Sequence, residues 1–467
     1  MKAAIHWFRR DLRISDNTAL AEAARRAERV VPVFILEDAL RTGPDVGGAR
    51  LAFLLHSLEV LRQNLAALGH RLEIRNGRSE VEIPKLCRQF RAEAVFANKR
   101  YEPYAQARDG RVFNALNAMG VGFELFKDAV IWEESEILTQ AGRPFTVFTP
   151  YAKAWNNRRI PAAWPRLGKA QRAESGGTPI GTDPAEFGHR LEQTLPPAGE
   201  RAAAMLLRKF MRGAVYEYAA KRDFPAASGT SQLSAHLRCG TIGIRTVLAS
   251  LTTARTAAPD AAARKSCDVF LNELVWREFY LQVLHNFPHV MKGAFRPEYN
   301  DLVWSENRDH FAAWCEGRTG YPIVDAAMRC LNATGWMHNR LRMIAAMFLA
   351  KDLLLPWQWG ERYFMQKLVD GDMAANNGGW QWCAGTGTDA APYFRIFNPV
   401  SQGEKFDPKG EFVRTWIPEL AAAPTEFVHQ PWNAERMSGY PERIVIHEEQ
   451  RVKCLAMFEK IRGRRQV

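Results

Sequence analysis

The sequence predicts an α/β domain followed by an all-α domain. Over the first 130 residues, short apolar runs alternate with amphipathic stretches, as in a sheet covered by helices. Residues 165–200 are rich in Pro, Gly and polar side chains, and helical periodicity dominates from residue 201 onward. We therefore predict an α/β domain at 1–130, an interdomain connection at 131–200 and a helical domain at 201–467, two domains being usual for 467 residues.

Five apolar runs in the first domain are typical of strands of a parallel, Rossmann-like sheet. They are Ala3 to Phe8, Val30 to Leu36, Leu72 to Arg75, Ala94 to Ala97 and Val121 to Phe126. The clearest helix covers Arg50 to Leu68, where leucines recur three and four residues apart on one face. The turns between these elements contain neither GxGxxG nor GxxxxGK, so a nucleotide must bind elsewhere.

Charge and cysteine content narrow the class of protein. The chain has 63 Lys and Arg against 51 Asp and Glu, a net charge of +12, which favours nucleic acid as a partner and equally serves solubility. Its seven cysteines form no CxxC pair, which indicates neither a disulfide framework nor a metal site and fits a reducing cytoplasm. No apolar run approaches the roughly 18 residues of a membrane span, and the N-terminus does not resemble a secretory signal.

Tryptophan is concentrated in the second domain, where 10 of the 14 residues lie between Trp276 and Trp432. A buried indole needs a partner for its N–H, so many of them beside Asn, Arg and Asp indicate a cavity for a flat aromatic ligand or for bases. For any single tryptophan, an aromatic helical core is the better explanation. In NELVWREFY, one helix face carries Glu273, Trp276, Arg277 and Tyr280. This face is either part of a binding site or a surface on which Glu273 and Arg277 form an ion pair.

Three other segments contain candidate binding residues. TGWMHNRLRM places Asn339, Arg342 and Met343 on one helix face, and DGDMAANNGGWQW places two acids before two amides and a Gly pair that admits close approach of a ligand. The two tryptophans of the latter segment should face different directions. In GTSQLSAHL, the hydroxyl groups at a helix start would hold phosphates or act as an ordinary cap. Those hydroxyl groups belong to Thr230, Ser231 and Ser234.

The assembled motifs resemble the DNA photolyase and cryptochrome family, and most closely its class I cyclobutane pyrimidine dimer (CPD) photolyases. The match extends from HWFRRDLRISDNTAL at residues 6–20, through GTSQLSAHL, LNELVWREFY, TGWMHNRLRM and DGDMAANNGGWQW, to GTDAAPYFRIFNPVSQGEKFD ending at residue 407. Such a collinear series of motifs is far more specific than any one of them.

The resemblance implies an FAD in the helical domain, folded into a U shape beneath a cavity for a base dimer flipped out of DNA. The residues it assigns to FAD are Tyr218, Thr230, Ser231, Gln232, Leu233, Ser234, Phe270, Arg277, Arg342, Asp370, Gly371, Asp372 and Asn376. Arg342 and Asp370 would be paired, and Asn376 would face flavin N5, where a neutral amide suits a reduced, anionic ring.

The family's mechanism implies that light excites the reduced flavin, an electron passes to the dimer, the ring opens and the electron returns. Glu273, Asn339 and Met343 would contact the damaged bases and, with Asn376, act catalytically. The residues implied to contact DNA are Arg222, Glu273, Trp276, Arg277, Tyr280, Asn339, Arg340, Trp382, Arg395 and Gln402. Trp380, Trp357 and Trp304 match the family's three-tryptophan electron relay. The partner is DNA containing pyrimidine dimers, and the enzyme is expected to be a cytoplasmic monomer.

Other members of the family, and an unrelated flavoenzyme, are the alternatives. A (6-4) photolyase has histidines in place of Asn339 and Met343, and plant cryptochromes have an Asp in place of Asn376. A flavin oxidoreductase would need a nicotinamide fingerprint, and none is present. A second, antenna chromophore is expected in the α/β domain, 8-hydroxy-5-deazaflavin being favoured over methenyltetrahydrofolate because Tyr104 and Ala105 replace an Asn-Glu pair. Its candidate ligands are Ile35, Glu37, Asp38, Arg50, Phe53 and Arg100.

Overall fold

The computed structural model describes residues 1–43, 45–170, 180–434 and 439–463. The chain separates into two compact units. The first comprises Met1–Leu191, Leu195–Ala219 and Ser231–Asn286, and the second comprises Glu192–Thr194, Ala220–Thr230 and Phe287–Val467. The domain ranges predicted from sequence follow secondary-structure type rather than compactness, and they stay a prediction.

The first unit contains a five-stranded sheet, and this confirms the predicted parallel α/β architecture. Its strands are β1 (Ala3–Phe8), β2 (Arg29–Leu36), β3 (Glu73–Asn76), β4 (Ala94–Asn98) and β5 (Gly122–Phe126). The strand order is β3-β2-β1-β4-β5, and each neighbouring pair is parallel. The β1 residues are all buried because helices cover both faces of the sheet, which explains why the sequence shows continuous apolar runs.

Helices make up most of the remaining described chain. In chain order they are α1 (Thr18–Arg26), α2 (Asp38–Thr42), α3 (Gly48–Ala66), α4 (Ser79–Phe90), α5 (Pro103–Asn117), α6 (Phe148–Asn156), α7 (Glu200–Arg212), α8 (Tyr218–Lys221), α9 (Ser234–Cys239), α10 (Ile244–Thr256), α11 (Ala261–Asn286), α12 (Arg308–Glu316), α13 (Pro322–Thr334), α14 (Asn339–Met347), α15 (Trp357–Lys367), α16 (Met373–Ala384), α17 (Pro399–Phe406), α18 (Glu411–Trp416) and α19 (His447–Gly463). The helix predicted from the leucine repeat is α3. None of the helices within the ranges given above has the length and apolar content needed to cross a membrane.

A buried ionic network explains the N-terminal signature HWFRRDLRISDN. After β1, Arg13 donates to Asp128 at 2.7 Å, and Arg245 of α10 donates to Asp128 at 2.6 Å and to Asp16 at 2.7 Å. Burial acts to raise the pKa of Asp128, but the guanidinium groups of Arg13 and Arg245 hold it below its ordinary value. This part of the signature therefore fixes the sheet to α10 within the first unit.

A second buried carboxyl fixes α11 to the segment that follows β5. Glu278 of α11 accepts hydrogen bonds from the backbone N–H groups of Ile131 and Trp132, at 2.7 and 2.9 Å, and from the indole N–H of Trp155 at 2.7 Å. Burial raises the pKa of Glu278 to about 7, although these three donors oppose the shift. The carboxyl thus holds α6 and the segment around residue 131 against the helix that contains the predicted site residues.

We expect the substitution Glu278→Gln to lower the free energy of unfolding by about 1–3 kcal/mol, because the new amide N–H₂ faces a buried N–H donor. The wild type should also lose stability as pH rises from the ordinary Glu pKa toward 7, since the folded state holds a proton there that the unfolded chain releases. Denaturant unfolding of both proteins at pH 5 and pH 7.5 measures this. A pH dependence that survives unchanged in the variant would contradict the assignment.

The second unit has one large core built from α12 to α18 and the intervening turns. It includes Trp314, Trp357 and Trp380, each no more than 2% exposed, with Trp304 and Trp382 packed against it at half-buried positions. Much of the tryptophan concentration noted in the sequence is therefore aromatic core. The half-buried tryptophans, Trp304 and Trp382, lie where this core approaches the surface.

Candidate functional site

The predicted stripe on α11 lies in the first unit. Trp276 stacks on Phe148 of α6 with ring centroids 3.7 Å apart and an interplanar angle of 7°, and Tyr280 lies 5.4 Å from the same indole. Arg277 donates to the carbonyl of Ala129 at 2.8 Å. Phe148 was not among the predicted residues, because it lies in the range interpreted as a connection. Because Phe148 covers one face of the Trp276 indole, the opposite face is the one that could pack against a ligand.

An aromatic cluster and a strained turn accompany this stripe. Phe270 of α11 and Tyr218 have ring centroids 5.3 Å apart, and Phe210 lies 4.7 Å from Phe270. Gln232, before α9, has a φ of 53°, a left-handed conformation that is unusual for a residue with a side chain. The backbone N–H of Leu233 donates to the Ser231 hydroxyl at 3.4 Å, and α9 begins at Ser234. The hydroxyl groups thus lie around a helix start, as the sequence predicts.

Helix α14, in the second unit, places an amide and a thioether together. The Nδ2 of Asn339 is 4.0 Å from the Sδ of Met343, and Asn339 is exposed. His338 precedes the helix and caps it by accepting the N–H of Arg340 at 3.2 Å. Burial lowers the pKa of His338 to about 4, so this imidazole is neutral, with its Nδ1 occupied by the Arg340 N–H. It is therefore a poor proton donor, although it is next to Asn339.

Arg342 and Asp370 form the predicted pair. Arg342 donates from Nη2 to Asp370 Oδ2 at 2.7 Å and from Nε to the carbonyl of Met337 at 2.8 Å. The side chain of Asp370 is only 2% exposed, and its Oδ1 has no hydrogen-bond partner among the described residues. A buried carboxylate oxygen without a donor is costly, so this atom points to a donor group that is not part of the chain.

The start of α16 positions the other predicted amide and acid. Asp372 caps the helix by accepting the N–H groups of Ala374 and Ala375, at 3.1 and 3.3 Å, and the preceding Gly371 is buried. Asn376 donates from Nδ2 to the carbonyl of Glu361 at 2.9 Å. This bond fixes the orientation of the amide and leaves its oxygen as an acceptor.

Two of the three relay candidates, Trp380 and Trp357, are each 2% exposed, and the third, Trp304, is half-buried. A Cβ at Gly360 would be 2.1 Å from the Trp380 indole, so the ring edge packs directly on the backbone of α15. Trp357 is three residues before Gly360 on that helix and therefore on the same face. The N–H of Ser305 donates to Leu354 at 2.7 Å, which brings the half-buried Trp304 close to the start of α15.

Predicted DNA contacts of the second unit differ in how tightly they are held. Arg340 donates to Asp223 at 2.8 Å and lies 4.3 Å from the Phe406 ring centre, two contacts that sequence patterns did not indicate. Arg222 is also close to Asp223, at 4.0 Å. Of the other predicted DNA contacts of this unit, Trp382 and Gln402 are half-buried and Arg395 is exposed. Trp380 and Trp382 do face different directions, one into the core and one outward.

The six antenna candidates have separate surroundings. Ile35 belongs to the apolar core on one face of the sheet, and Phe53 packs on His236 with ring centroids 5.3 Å apart. Glu37 is buried and accepts from Tyr104 at 3.3 Å, with Arg108 at 3.5 Å. Arg100 donates to Glu102 at 2.6 Å. Asp38 is exposed at the start of α2, and Arg50 is buried in α3.

Comparisons with known proteins agree over the whole chain. A family model described as DNA photolyase matches residues 4–168, and one described as the FAD binding domain of DNA photolyase matches residues 270–460. The deoxyribodipyrimidine photo-lyase of Escherichia coli K12 is 44% identical over 476 residues, which cover 99% of both chains. The corresponding protein of Vibrio cholerae is 40% identical over 471 residues, covering 98% of this chain and 99% of that one.

Solved structures give the same result. The bacterial class III photolyase from Agrobacterium tumefaciens superposes with a TM-score of 0.90 at 36% identity, covering 99% of this chain and 98% of that one. The archaeal photolyase from Sulfolobus tokodaii, solved with two FAD molecules, has a TM-score of 0.85 at 33% identity and covers 98% of this chain and 100% of that one. The fold and the matched regions define an FAD-binding enzyme of light-driven DNA repair. The chain belongs to the DNA photolyase family.

The side chains of the second unit fit an FAD. The Arg342 guanidinium and the Asp370 carboxylate offer a donor beside an acceptor, which matches the alternating polar edge of a flavin ring. The partnerless Asp370 Oδ1 and the Asn376 amide, fixed at its nitrogen, are further polar groups of the kind that orient such a ligand.

Proposed function

We propose that the enzyme repairs cyclobutane pyrimidine dimers in DNA. The observation that carries this proposal is the first turn of α14, where an amide and a thioether occupy the positions at which a (6-4) enzyme would have histidines. The neighbouring His338 is buried, neutral and engaged as a helix cap. Opening a cyclobutane ring needs no proton shuttle, so this chemistry suits the simpler lesion.

The proposed FAD contacts are those implied by the family resemblance. FAD, when bound and reduced, supplies the light-excited electron donor. The Arg342–Asp370 pair would orient the isoalloxazine ring, and the Asn376 amide oxygen would accept from N5 without adding a negative charge beside it. The phosphate and ribityl part would be held around Tyr218 and the hydroxyl groups near α9. In this proposal the chain's own residues bind, orient and exclude water.

The proposed lesion contacts are Glu273, Trp276, Asn339, Met343 and Trp382. The carboxylate and the amide would hydrogen-bond the damaged bases, and the indoles would pack against them. Light-dependent repair of a thymine dimer in a short DNA duplex tests this function directly. Repair of a (6-4) product with no repair of the dimer, by the fully reduced enzyme, would overturn it.

We expect Glu273→Ala to lower the rate of dimer repair roughly tenfold or more, because a hydrogen bond to a charged group contributes about 1.5–3 kcal/mol. The FAD content of the purified protein should be unchanged, as read from its visible absorption. Asn272→Ala is a matched control, because Asn272 is the adjacent residue of α11 and is exposed. Colourless Glu273→Ala protein would instead make Glu273 a residue that holds the flavin or the fold.

We also propose Trp380, Trp357 and Trp304 as the relay that reduces an oxidised flavin, supported by the burial of the first two and the half-buried position of the third. Arg222, Arg340, Arg395 and Gln402 would bind the strand around the lesion, with the net charge of +12 assisting. We expect the enzyme to act as a cytoplasmic monomer. Sedimentation of the purified protein, alone and with damaged DNA, tests the oligomeric state.

An antenna chromophore in the α/β region completes the proposal, with 8-hydroxy-5-deazaflavin favoured. Glu37, with Tyr104, Arg108 and Ser79 as partners, is a candidate ligand with polar surroundings. The Sulfolobus tokodaii photolyase contains two FAD molecules, which imply a novel light-harvesting cofactor in that enzyme, so a second flavin is the alternative. Absorption and fluorescence spectra of gently purified protein distinguish a deazaflavin, a folate and a flavin.

A further inference from the structure

A buried lysine lies beneath the loop that carries Arg395. Lys351 is fully buried in a π-helical turn, Phe348–Asp352, which follows α14. Its Nζ donates to the carbonyl of Arg395 at 2.9 Å and to that of Tyr393 at 3.3 Å. A buried ammonium is costly, and here main-chain carbonyls of one loop receive it. Single π turns are rare and are frequent at functional sites.

The same loop is tied on its other side to α16. The N–H of Ala391 donates to the carbonyl of Trp382 at 3.2 Å, and the N–H of Arg395 donates to Pro392 at 2.8 Å. Beyond the first of these attachments, the side chains of Phe394 and Arg395 are both exposed. The loop thus turns its carbonyls inward to Lys351 while its cation reaches the surface.

The π turn is itself anchored within the second unit. Asp352, the residue after Lys351, lies 2.5 Å from Nδ1 of His447 at the start of α19, and both side chains are buried. The lysine is therefore attached to a fixed support, so its position defines the position of the loop.

We propose that Lys351 is a positioning residue for DNA binding, whose ammonium holds the carbonyls of Tyr393 and Arg395 and so presents the Arg395 guanidinium to a DNA phosphate. This inference rests on the proposed strand contact of Arg395. Holding the loop in its bound conformation before DNA arrives raises affinity, because the ordering cost has already been met by folding.

The charge on Lys351 gives the proposal a pH signature. The groups that face it are Asp352, Cys383 of α16, Cys454 of α19 and the guanidinium of Arg395. Burial lowers the pKa of Lys351 to about 8, and it raises the pKa of Asp352 to about 6 and that of each thiol to about 12. Of the three neighbours with these values, none changes its charge between pH 7 and 9.

Two quantities should therefore move in opposite directions as pH rises past 8. Affinity for DNA should fall, because a neutral amine is a weaker donor to the loop carbonyls. The contribution of this lysine to stability should rise, because the unfolded chain keeps a proton that the folded state has released. A residue that only supported the fold would not produce this opposition.

The test uses the full-length, FAD-loaded protein and a short duplex with one thymine dimer. We expect Lys351→Met to weaken binding about tenfold at pH 7, the size expected for a charge-assisted hydrogen bond, and to remove the further weakening that the wild type shows at pH 9. FAD content and repair per bound dimer should not change. Lys367→Met is the control, because Lys367 pairs with Glu192 at 2.9 Å and should keep the wild-type affinity and pH profile.

A double-substitution cycle with Arg395→Ala separates positioning from general damage. Lys351→Met should weaken binding by much less in the Arg395→Ala background than alone. Equal weakening in both backgrounds, or no effect of either substitution on affinity, overturns the inference. If Lys351→Met does not fold, the wild-type loss of affinity between pH 7 and 9 must vanish in Arg395→Ala, and its persistence overturns the inference. Failure of the proposed function would give a different result, because the wild-type enzyme itself would then leave the dimers unrepaired.

Discussion

Replacing Trp380 with Phe is expected to abolish light-driven reduction of oxidised FAD while repair by chemically reduced enzyme is mostly retained. Trp380 is a buried relay candidate on α16, and phenylalanine is much harder to oxidise than indole. The ring packs on Gly360 and lies 5.0 Å from Phe364, so a smaller aromatic side chain should stay in the core. The stability loss should be of the ordinary size, roughly 0.5–3 kcal/mol.

Flavin absorption under continuous light with an external reductant measures the first quantity, and dimer repair after dithionite treatment measures the second. Trp359→Phe is the matched control, because Trp359 lies on α15 with Trp357 but packs against Phe311, with Arg308 3.8 Å from its ring centre. Normal photoreduction in Trp380→Phe would remove it from the relay. Equal loss of both activities would instead make it a residue that holds the flavin.

Replacing Arg342 with Met is expected to produce protein that is both unstable and nearly colourless. The substitution leaves the Asp370 carboxylate buried without its partner, a change that typically costs about 3–5 kcal/mol. The double variant Arg342→Met with Asp370→Asn removes the charge as well and should regain most of that stability. The double variant should nevertheless stay poor in FAD, because it lacks the Arg342–Asp370 pair that is proposed to bind the polar edge of the flavin ring.

Denaturant unfolding and the ratio of visible to ultraviolet absorption give the two readouts. Arg329→Met is a close control: Arg329 also donates to a carbonyl, that of Gly317 at 3.0 Å, and to a carboxylate, both oxygens of Glu419 at 2.9 and 2.8 Å. That carboxylate is 30% exposed, so the expected loss is at most about 1 kcal/mol and FAD is retained. Full FAD content in the double variant would show that the pair serves the fold alone.

The strands and the α3 helix were predictable because their signals are local. Apolar runs bounded by turns place each predicted strand within about two residues of the observed one, and the leucine repeat identifies α3. Helix α6 was missed, since nine residues are too few for a clear period and they lie in a stretch interpreted as a connection.

The site residues also divide into those that the sequence indicated and those that it did not. The Arg342–Asp370 pair came from family resemblance, and the placement of Asn339 with Met343 came from helical spacing. Phe148, Asp223 and Gly360 could not be found, because each acts through a residue far away in the chain. Periodicity has no information about which distant segment will pack on a given face, so such contacts require the folded structure.

The contact between Trp380 and Gly360 has a consequence for electron flow along the proposed relay. The closest approach of the Trp380 indole to the helix that carries Trp357 is set by a hydrogen atom at Gly360, where any larger side chain would push the ring away. A residue with no redox chemistry of its own thereby works as a spacer, and related chains could retune the speed of charge migration there while every oxidisable side chain stays the same.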